Sequence, residues 1–312
     1  MNCSIIIRCY NEEKHIGRLL QGIQQQNLKD VDIVMVDSGS TDRTLQIASR
    51  YPVRVVHIRP GEFTFGYSLN RGIAEAMHEF VVLASAHVYP VYPDWLEQLL
   101  RSFENPKIAL TYGKQRGNQR THFSEHQIFA TWYPNQGQAG QRHPFCNNAN
   151  AAIRRSLWQE NPYDENLTGL EDLGWAHWCI QQSYLIAYVP EAEIIHVHEQ
   201  SIRSIFNRYR REAMAFKQIY PQEKFGFGDF IRLFLLNAAN DIRAAERQGV
   251  LRHNLGPILQ FRYSQFYGTY RGYQEKGPLT WKLRKSFYYP GLDTDLESVA
   301  DRDVSPIQYF DD

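Results

Sequence analysis

The sequence predicts an α/β fold: a mostly parallel sheet with helices on both faces, followed by a helical C-terminal extension. Three observations carry this. Short runs of aliphatic and β-branched residues alternate with segments whose apolar positions recur every three or four residues, the strand–helix alternation of a parallel sheet. The early strand runs end in polar residues, as strands do where their loops gather at the carboxyl edge of such a sheet. Beyond residue 200 the strand signal stops and three long helical stretches follow.

The elements follow in order. Ser4 to Cys9 reads as a buried strand, and Glu12 to Gln26 as an amphipathic helix with Ile16, Leu19, Leu20 and Ile23 on one face. Val31 to Val36 is a second strand, closed by Asp37-Ser38-Gly39-Ser40, and Thr41 to Arg50 returns to a helical pattern. Val53 to Ile58, Ser68 to His78 and Phe80 to Ala84 repeat the alternation, which requires crossover connections and hence parallel pairing. Trp95 to Phe103 reads as a helix and Ile108 to Tyr112 as a strand. Gly117 to Gln141 is polar and rich in Gly and Gln, and is expected to be a mobile connection over the site. The pattern resumes with Ala149 to Trp158, a helix through Trp175, Trp178 and Cys179, and a strand pair at Leu185 to Val189 and Glu193 to Val197. Ile202 to Tyr220, Phe230 to Arg247 and Leu255 to Tyr273 are expected helices, broken by Pro221, Gly249 and Gly277. The expected division is residues 1–200 as one α/β catalytic unit and 201–312 as a mainly helical extension with an acidic tail.

Composition narrows the function. The chain has 312 residues and 43% hydrophobic content, enough for a substantial core, so a disordered chain is excluded. Lys+Arg and Asp+Glu both number 34, which leaves no global cationic field for coating nucleic acid. Charge is uneven locally: residues 201–285 hold 16 Lys+Arg against 6 Asp+Glu, whereas residues 286–312 hold 7 acids and 1 Arg. Either this is a solvated helix face, or the basic, aromatic segment with Arg262, Tyr263, Phe266, Tyr267, Tyr270 and Arg271 touches an anionic headgroup or phosphorylated acceptor. Cys3, Cys9, Cys146 and Cys179 show no CxxC spacing and fit reduced thiols used as small apolar residues. No window approaches the ~18 apolar residues of a spanning helix, so a cytoplasmic protein, peripheral at most, is expected. Neither GxGxxG after the first strand nor GxxxxGK[ST] anywhere is present, so a nicotinamide enzyme or P-loop phosphotransferase lacks its main signal.

The residues at the strand ends resemble the inverting glycosyltransferases of family 2, which have the GT-A fold. The resemblance covers residues 3–200 and rests on Ser4-Ile5-Ile6-Ile7-Arg8-Cys9-Tyr10-Asn11-Glu12-Glu13 and Val36-Asp37-Ser38-Gly39-Ser40-Thr41-Asp42-Arg43-Thr44. These are similar to the family's opening strand with its YNE turn and to its VDDGSTDxT turn. Leu69-Asn70-Arg71-Gly72-Ile73, Asn150-Ala151-Ala152-Ile153-Arg154-Arg155 and Glu171-Asp172 before an aromatic helix add to it, and Gly61-Glu62-Phe63-Thr64-Phe65-Gly66-Tyr67 resembles a loop of bacterial rhamnosyltransferase-like members.

The resemblance implies transfer of a sugar from a nucleoside-diphosphate-sugar to a hydroxyl of a glycan or lipid-linked glycan, in surface polysaccharide or glycolipid synthesis. Tyr10, Glu12, Asp37, Asn70, Ser85 and His87 are then the donor-binding candidates. Asp37 either contacts the nucleoside or caps the next helix, Tyr10 either stacks on the base or packs under the turn, and Asn70 is either a ligand contact or an ordinary helix cap. Ser85-Ala86-His87 stands where the family has DxD, so a divalent cation, Mn²⁺ or Mg²⁺, would rest on His87 with His198 or His196 as a further donor. Without a cation, Arg203, Arg208 and Arg211 are the candidates to neutralise the diphosphate. Asp172 matches the family's catalytic base and Glu171 an acceptor-orienting neighbour; the alternative is an acidic pair at a helix N-terminus. Trp175 and Trp178 serve either a sugar ring or the core. Two other classes stay open: an inactive nucleotide-sugar-binding or scaffold protein, since both acids of DxD are replaced, and a nucleotidyltransferase, which would release pyrophosphate.

Overall fold

A computed structural model describes residues 1–275. Its elements are β1 (Cys3–Cys9), α1 (Ile16–Gln24), β2 (Val31–Asp37), α2 (Thr44–Ala48), β3 (Val53–His57), α3 (Phe65–Ala74), β4 (Phe80–Ser85), β5 (Val88–Pro90), α4 (Trp95–Arg101), β6 (Ile108–Arg116) and α5 (Phe123–Trp132). Then come β7 (Gln138–Gln141), β8 (Asn150–Arg154), α6 (Arg155–Glu160), α7 (Glu171–Gln181), β9 (Leu185–His196), α8 (Ile202–Ile219), α9 (Phe227–Arg247) and α10 (Leu251–Gln274). The strands form one sheet in the order β3-β2-β1-β4-β8-β6-β9-β5, with β7 added on β9.

The first half is parallel throughout, β1 pairing with β2 and β4 and β2 with β3. β8 then runs antiparallel between β4 and β6, so the sheet is mixed although its nucleus is parallel. β1 explains its own position: Ile5 and Ile7 enter the core on one face and Ile6 the core on the other, all fully buried. A strand buried on both faces reads as a continuous apolar run rather than an alternating one, and each isoleucine contributes about 1.5–3 kcal/mol of burial. Helices α1 and α4 supply Leu19, Leu20, Trp95 and Leu99 to one core; α3 and α7 supply Leu69, Ile73, Trp175 and Ala176 to the other. Gly72 lets α3 approach the sheet, for a Cβ there would lie 2.4 Å from Ile6 Cγ2 and 2.8 Å from Val36 Cγ2.

Three expectations are corrected. Gly117 to Gln141 is not a connecting loop: it contains α5, which buries Glu125 and Phe129, and the edge strand β7. The strand pair after Gln181 is a single twelve-residue strand, β9, whose pairing with β6 slips between Gly113 and Gln115; that irregularity lets one strand pass Pro190. The aromatic segment of α10 is only in part an open surface: Arg262 is buried, and Phe266, Tyr267 and Tyr270 are half-buried. Arg262 is buried in an ion pair with Asp241, 2.7 and 2.9 Å, and Tyr267 and Tyr270 lie against Phe230. Tyr263 and Arg271 remain exposed.

Helices α8 and α10 pack against each other closely, since a Cβ on Gly268 would stand 2.5 Å from the Phe206 carbonyl oxygen. The acidic run of 286–312, and the part of the basic run beyond residue 275, lie outside the described residues. The four cysteines are all buried and unpaired, and burial pushes the Cys3 thiol up to about 12. No described helix is long and apolar enough to cross a membrane.

Candidate active site

The two turns singled out by sequence are laced to one another. Asn11 N–H donates to Ser40 Oγ at 2.9 Å and Thr41 N–H to Asn11 Oδ1 at 2.8 Å; Glu12 N–H donates to Thr44 Oγ1 at 2.7 Å and Glu13 N–H to Asp42 Oδ2 at 3.0 Å. Asn11 takes φ +53°, a conformation that asparagine tolerates better than most side chains. Much of the motif's chemistry is thus spent on holding the ends of β1 and β2 together. Asp37 belongs to this lacing. It is 1% exposed, and its carboxylate accepts from Gly39 N–H at 3.1 Å and Ser40 N–H at 3.2 Å. Asp37 therefore braces its own turn and does not cap α2, which begins only at Thr44, and it lies outside the lining of the cleft described below. Tyr10 sits half-buried beside this turn. Asn70 is corrected outright: it lies within α3, not at its start. Its amide is consumed by Tyr163 O at 2.9 Å, Glu165 Oε1 at 2.8 Å, Trp158 Nε1–H at 2.9 Å and Tyr163 N–H at 3.0 Å. Asn70 is a brace for the 158–165 segment.

Ser85, His87, Glu171, Asp172 and His198 do converge, on a cleft of about 340 Å³ together with Arg8, Asn148, His196, Arg208 and Arg211. Ser85 closes β4 and His87 follows it directly. Antiparallel pairing of β5 with β9 sets Val88 opposite His196, and Val197 N–H donates to the His87 carbonyl at 3.1 Å. His87 is thereby held against the end of β9. His196 and His198, two apart at that end, project to the same side: their rings are 4.0 Å apart between centroids, and the His87 ring stacks 5.2 Å from that of His196. The ligand nitrogens of the three lie within 4.8 Å of one another. The donor set therefore fits a divalent cation, as all three rings can present an unprotonated nitrogen. Burial holds His196 well below its ordinary pKa and lowers His198 as well, which keeps both neutral.

Glu171 and Asp172 open α7, immediately after Leu170 at φ +54°. A leucine in that left-handed region is strained, as backbone at functional sites often is. Glu171 is tied to Arg8 by a 3.0 Å ion pair. Asp172 accepts from Asn148 N–H at 3.1 Å and Leu173 N–H at 2.8 Å. Burial, reinforced by the adjacent Glu171 charge, raises its carboxyl to about 7. A carboxylate there can take up a proton near neutral pH.

Opposite lie two guanidiniums on one ring: Arg8 and Arg211 stand 4.7 and 4.5 Å from the Phe65 centroid. Arg208 lines the cleft too, but its Nη2 is held by Glu125 at 2.8 Å. Burial alone would raise Glu125; Arg208 and His198 outweigh it and hold the carboxyl down at about 2. Arg203 is exposed and outside the cleft lining. Trp175 is a core residue whose Nε1–H donates to Asn161 O at 2.7 Å. Trp178 lines, together with an edge of Trp175, a second cavity of about 290 Å³, which shares Glu171 with the cleft.

Sequence reasoning missed Arg8, Gln115, Glu125 and Asn148. Arg8 had a signal, as a charge interrupting the apolar run of β1. Glu125 had none, because α5 lacks a one-sided apolar stripe. Gln115 Nε2 and Asn148 Nδ2 are buried without a hydrogen-bond partner, two donors placed in the cleft wall.

The family model for glycosyl transferase family 2 matches residues 4–161, slightly more than half of the chain. The chain belongs to glycosyl transferase family 2. It is a glycosyltransferase with a rhamnosyltransferase-like sequence. The relatives include the O-antigen chain rhamnosyltransferases WbaN of Salmonella anatum, 29% identical over 66% of this chain and 69% of that protein, and RfbN of Salmonella typhimurium, 26% identical over 67% and 70%. Solved structures of the same fold include a mannosyltransferase from Pyrobaculum calidifontis in complex with GDP-Man and Mn²⁺, TM-score 0.58 at 18% identity, covering 87% of this chain and 84% of that one. TarS 1–349 of S. aureus in complex with UDP gives TM-score 0.53 at 17% identity, covering 87% and 89%. For this family 2 transferase the helical region α8–α10 and the GT-A-like mixed sheet together make the matched architecture.

Proposed function

We propose that this transferase moves a deoxyhexose or hexose, rhamnose in the first instance, from a nucleoside-diphosphate-sugar to a hydroxyl of a growing surface glycan, with inversion at the anomeric carbon. The observation that carries this is Asp172: a buried carboxylate with its affinity for protons raised, facing the same cleft as the imidazole cluster and the Arg8–Phe65–Arg211 stack.

Asp172 takes the proton of the attacking hydroxyl, the acceptor oxygen bonds to the anomeric carbon, and the sugar–phosphate C–O bond breaks on the opposite face, with its electron pair leaving on the nucleoside diphosphate. Arg8 and Arg211 supply fixed positive charge for that leaving group, the electrostatic assistance such a displacement needs most. Asn148 N–H and Leu173 N–H orient the Asp172 carboxylate, and Glu171, anchored by Arg8, fixes the first turn of α7. His87 and His198 would hold the divalent cation, whose charge offsets that of the diphosphate.

The test is an assay of UDP-, dTDP- and GDP-sugars with glycan acceptors from pH 5 to 9. Release of nucleoside diphosphate, with kcat/KM rising through about pH 7 as Asp172 deprotonates, is expected. Pyrophosphate release, or donor binding with no turnover, would refute the proposal. The acceptor is lipid-linked in this reading, and the protein docks peripherally at a bilayer. Supporting this, α9 and α10 expose Phe227, Leu235, Leu236, Leu255 and Leu259, with Arg232 and Arg252 among them. Co-sedimentation with phosphatidylglycerol vesicles, reduced at least several-fold by Leu235→Glu with Leu259→Glu, is the expected result; equal sedimentation of the variant removes that surface.

A further inference from the structure

We propose that His87, His196 and His198 form one three-imidazole site that selects a nitrogen-preferring first-row divalent cation and discriminates against Mg²⁺. Only the use of that cation, charge compensation at the diphosphate, rests on the function proposed above; its binding does not.

Nε2 of His196 and Nε2 of His198 are 3.0 Å apart. Each Nδ1 faces an oxygen at 2.8 Å: Glu12 Oε1 for His87, Gln115 Oε1 for His196 and Glu125 Oε1 for His198. Glu12 and Gln115 accept the Nδ1 protons of His87 and His196, which leaves their Nε2 lone pairs for the space between the rings. His198 Nδ1 faces Arg208 Nη1 at 3.1 Å as well as Glu125, so an ion binding at Nε2 displaces any proton held there. Two nitrogens at about 2.0–2.1 Å from one ion stand about 3 Å apart, which is the Nε2–Nε2 separation here. An imidazole whose far nitrogen is bonded to a carboxylate or amide oxygen is the usual outer arrangement of a metal ligand. Three such imidazoles, brought together from the β4–β5 turn and the end of β9, point to a built site rather than chance proximity.

The donor set also argues for which cation. Mg²⁺ seeks oxygen ligands in near-octahedral geometry, whereas neutral nitrogens favour the later first-row ions. Among the described residues, the metal-ligating group here is all histidine. Glu12 and Glu125, which would supply oxygen, are turned onto the Nδ1 atoms, and Glu125 is further engaged by Arg208 at 2.8 Å. Replacement of the family's two acids by Ser85 and His87 thus changes the class of cation rather than removing the site.

The test is titration of chelator-stripped protein with Co²⁺, followed by its visible absorption, and competition by Mg²⁺, Mn²⁺, Ni²⁺ and Zn²⁺. Co²⁺ is expected to give a ligand-field band and to bind on the order of 100-fold tighter than Mg²⁺. His87→Ala and His196→Ala should each abolish the band, and Gln115→Leu should weaken binding by about 10-fold or more. His196 is buried, so its variant is checked for folding by circular dichroism; His87, half-exposed, carries the test if that variant fails to fold. No band, a band unchanged in His87→Ala, or Mg²⁺ competing on equal terms would each overturn the assignment. Co²⁺ bound through the histidines without any sugar transfer leaves this site standing and removes the transferase reading; transfer undiminished in chelator with no Co²⁺ band does the reverse.

Discussion

Replacing Asp172 with Asn is expected to lower transfer by about 10³-fold or more while nucleotide-sugar binding persists. The side chain has the same shape, and its amide oxygen keeps one of the two bonds that the carboxylate accepts at separate oxygens, from Asn148 N–H at Oδ2 and Leu173 N–H at Oδ1, while the amide NH2 faces the other N–H. What disappears is the proton acceptor. A second readout separates a base from a helix-capping acid. The folded-state pKa of Asp172 is raised by burial and Glu171, so the folded chain binds this proton more tightly than the unfolded chain. Between the ordinary carboxyl pKa and about 7 stability must therefore fall as pH rises, because burying the ionised form becomes increasingly costly. Asn carries no charge to bury. Its variant should match the wild type in thermal midpoint below about pH 4 and exceed it by a growing margin up to about pH 7 and at pH 8, while losing transfer throughout. An N-terminal acid acting only on the helix dipole predicts the opposite, a variant destabilised at pH 8 with activity retained. A wild-type rate in Asp172→Asn would end the case for this residue and favour a binding or scaffold role.

How much of this was legible beforehand depends on whether a residue's job is local or assembled. The parallel nucleus was readable because β1, β2 and β4 are apolar runs separated by segments of helical period, and burial on both faces demands that pattern. The acidic pair before α7 and the replaced DxD at Ser85-Ala86-His87 were visible as sequence motifs. Their meeting was not, because it depends on β8 running antiparallel between β4 and β6 and on β5 folding back onto β9. Asn70 misled since an amide within a helix gives no sign that three residues 88 to 95 positions away will claim it with four hydrogen bonds. Helix α5 escaped notice because its buried positions are Ser124, Glu125 and Phe129, two polar residues and one apolar, which erases the single apolar face that periodicity detects.

Arg262→Met should cost about 3–5 kcal/mol of stability, the largest loss expected from one substitution in the helical region. Arg262 and Asp241 are 5% and 3% exposed at their side chains and joined at 2.7 and 2.9 Å. Gln265 Oε1 accepts from Arg262 Nη1 at 2.8 Å, and Nη2 reaches Ser124 O at 3.4 Å. Removing the guanidinium leaves Asp241 as an uncompensated buried charge between α9 and α10, and it also frees the first turn of α5. The consequence runs on to the cleft, since the residue after Ser124 is Glu125, which holds both His198 and Arg208. Urea unfolding would measure the loss. Asp241→Leu combined with Arg262→Met should recover most of it, because apolar replacement of both partners removes the stranded charge along with the pair. A loss below about 1 kcal/mol for the single variant, or a double variant no more stable than the single one, would mean that the pair is not what fastens α9 to α10.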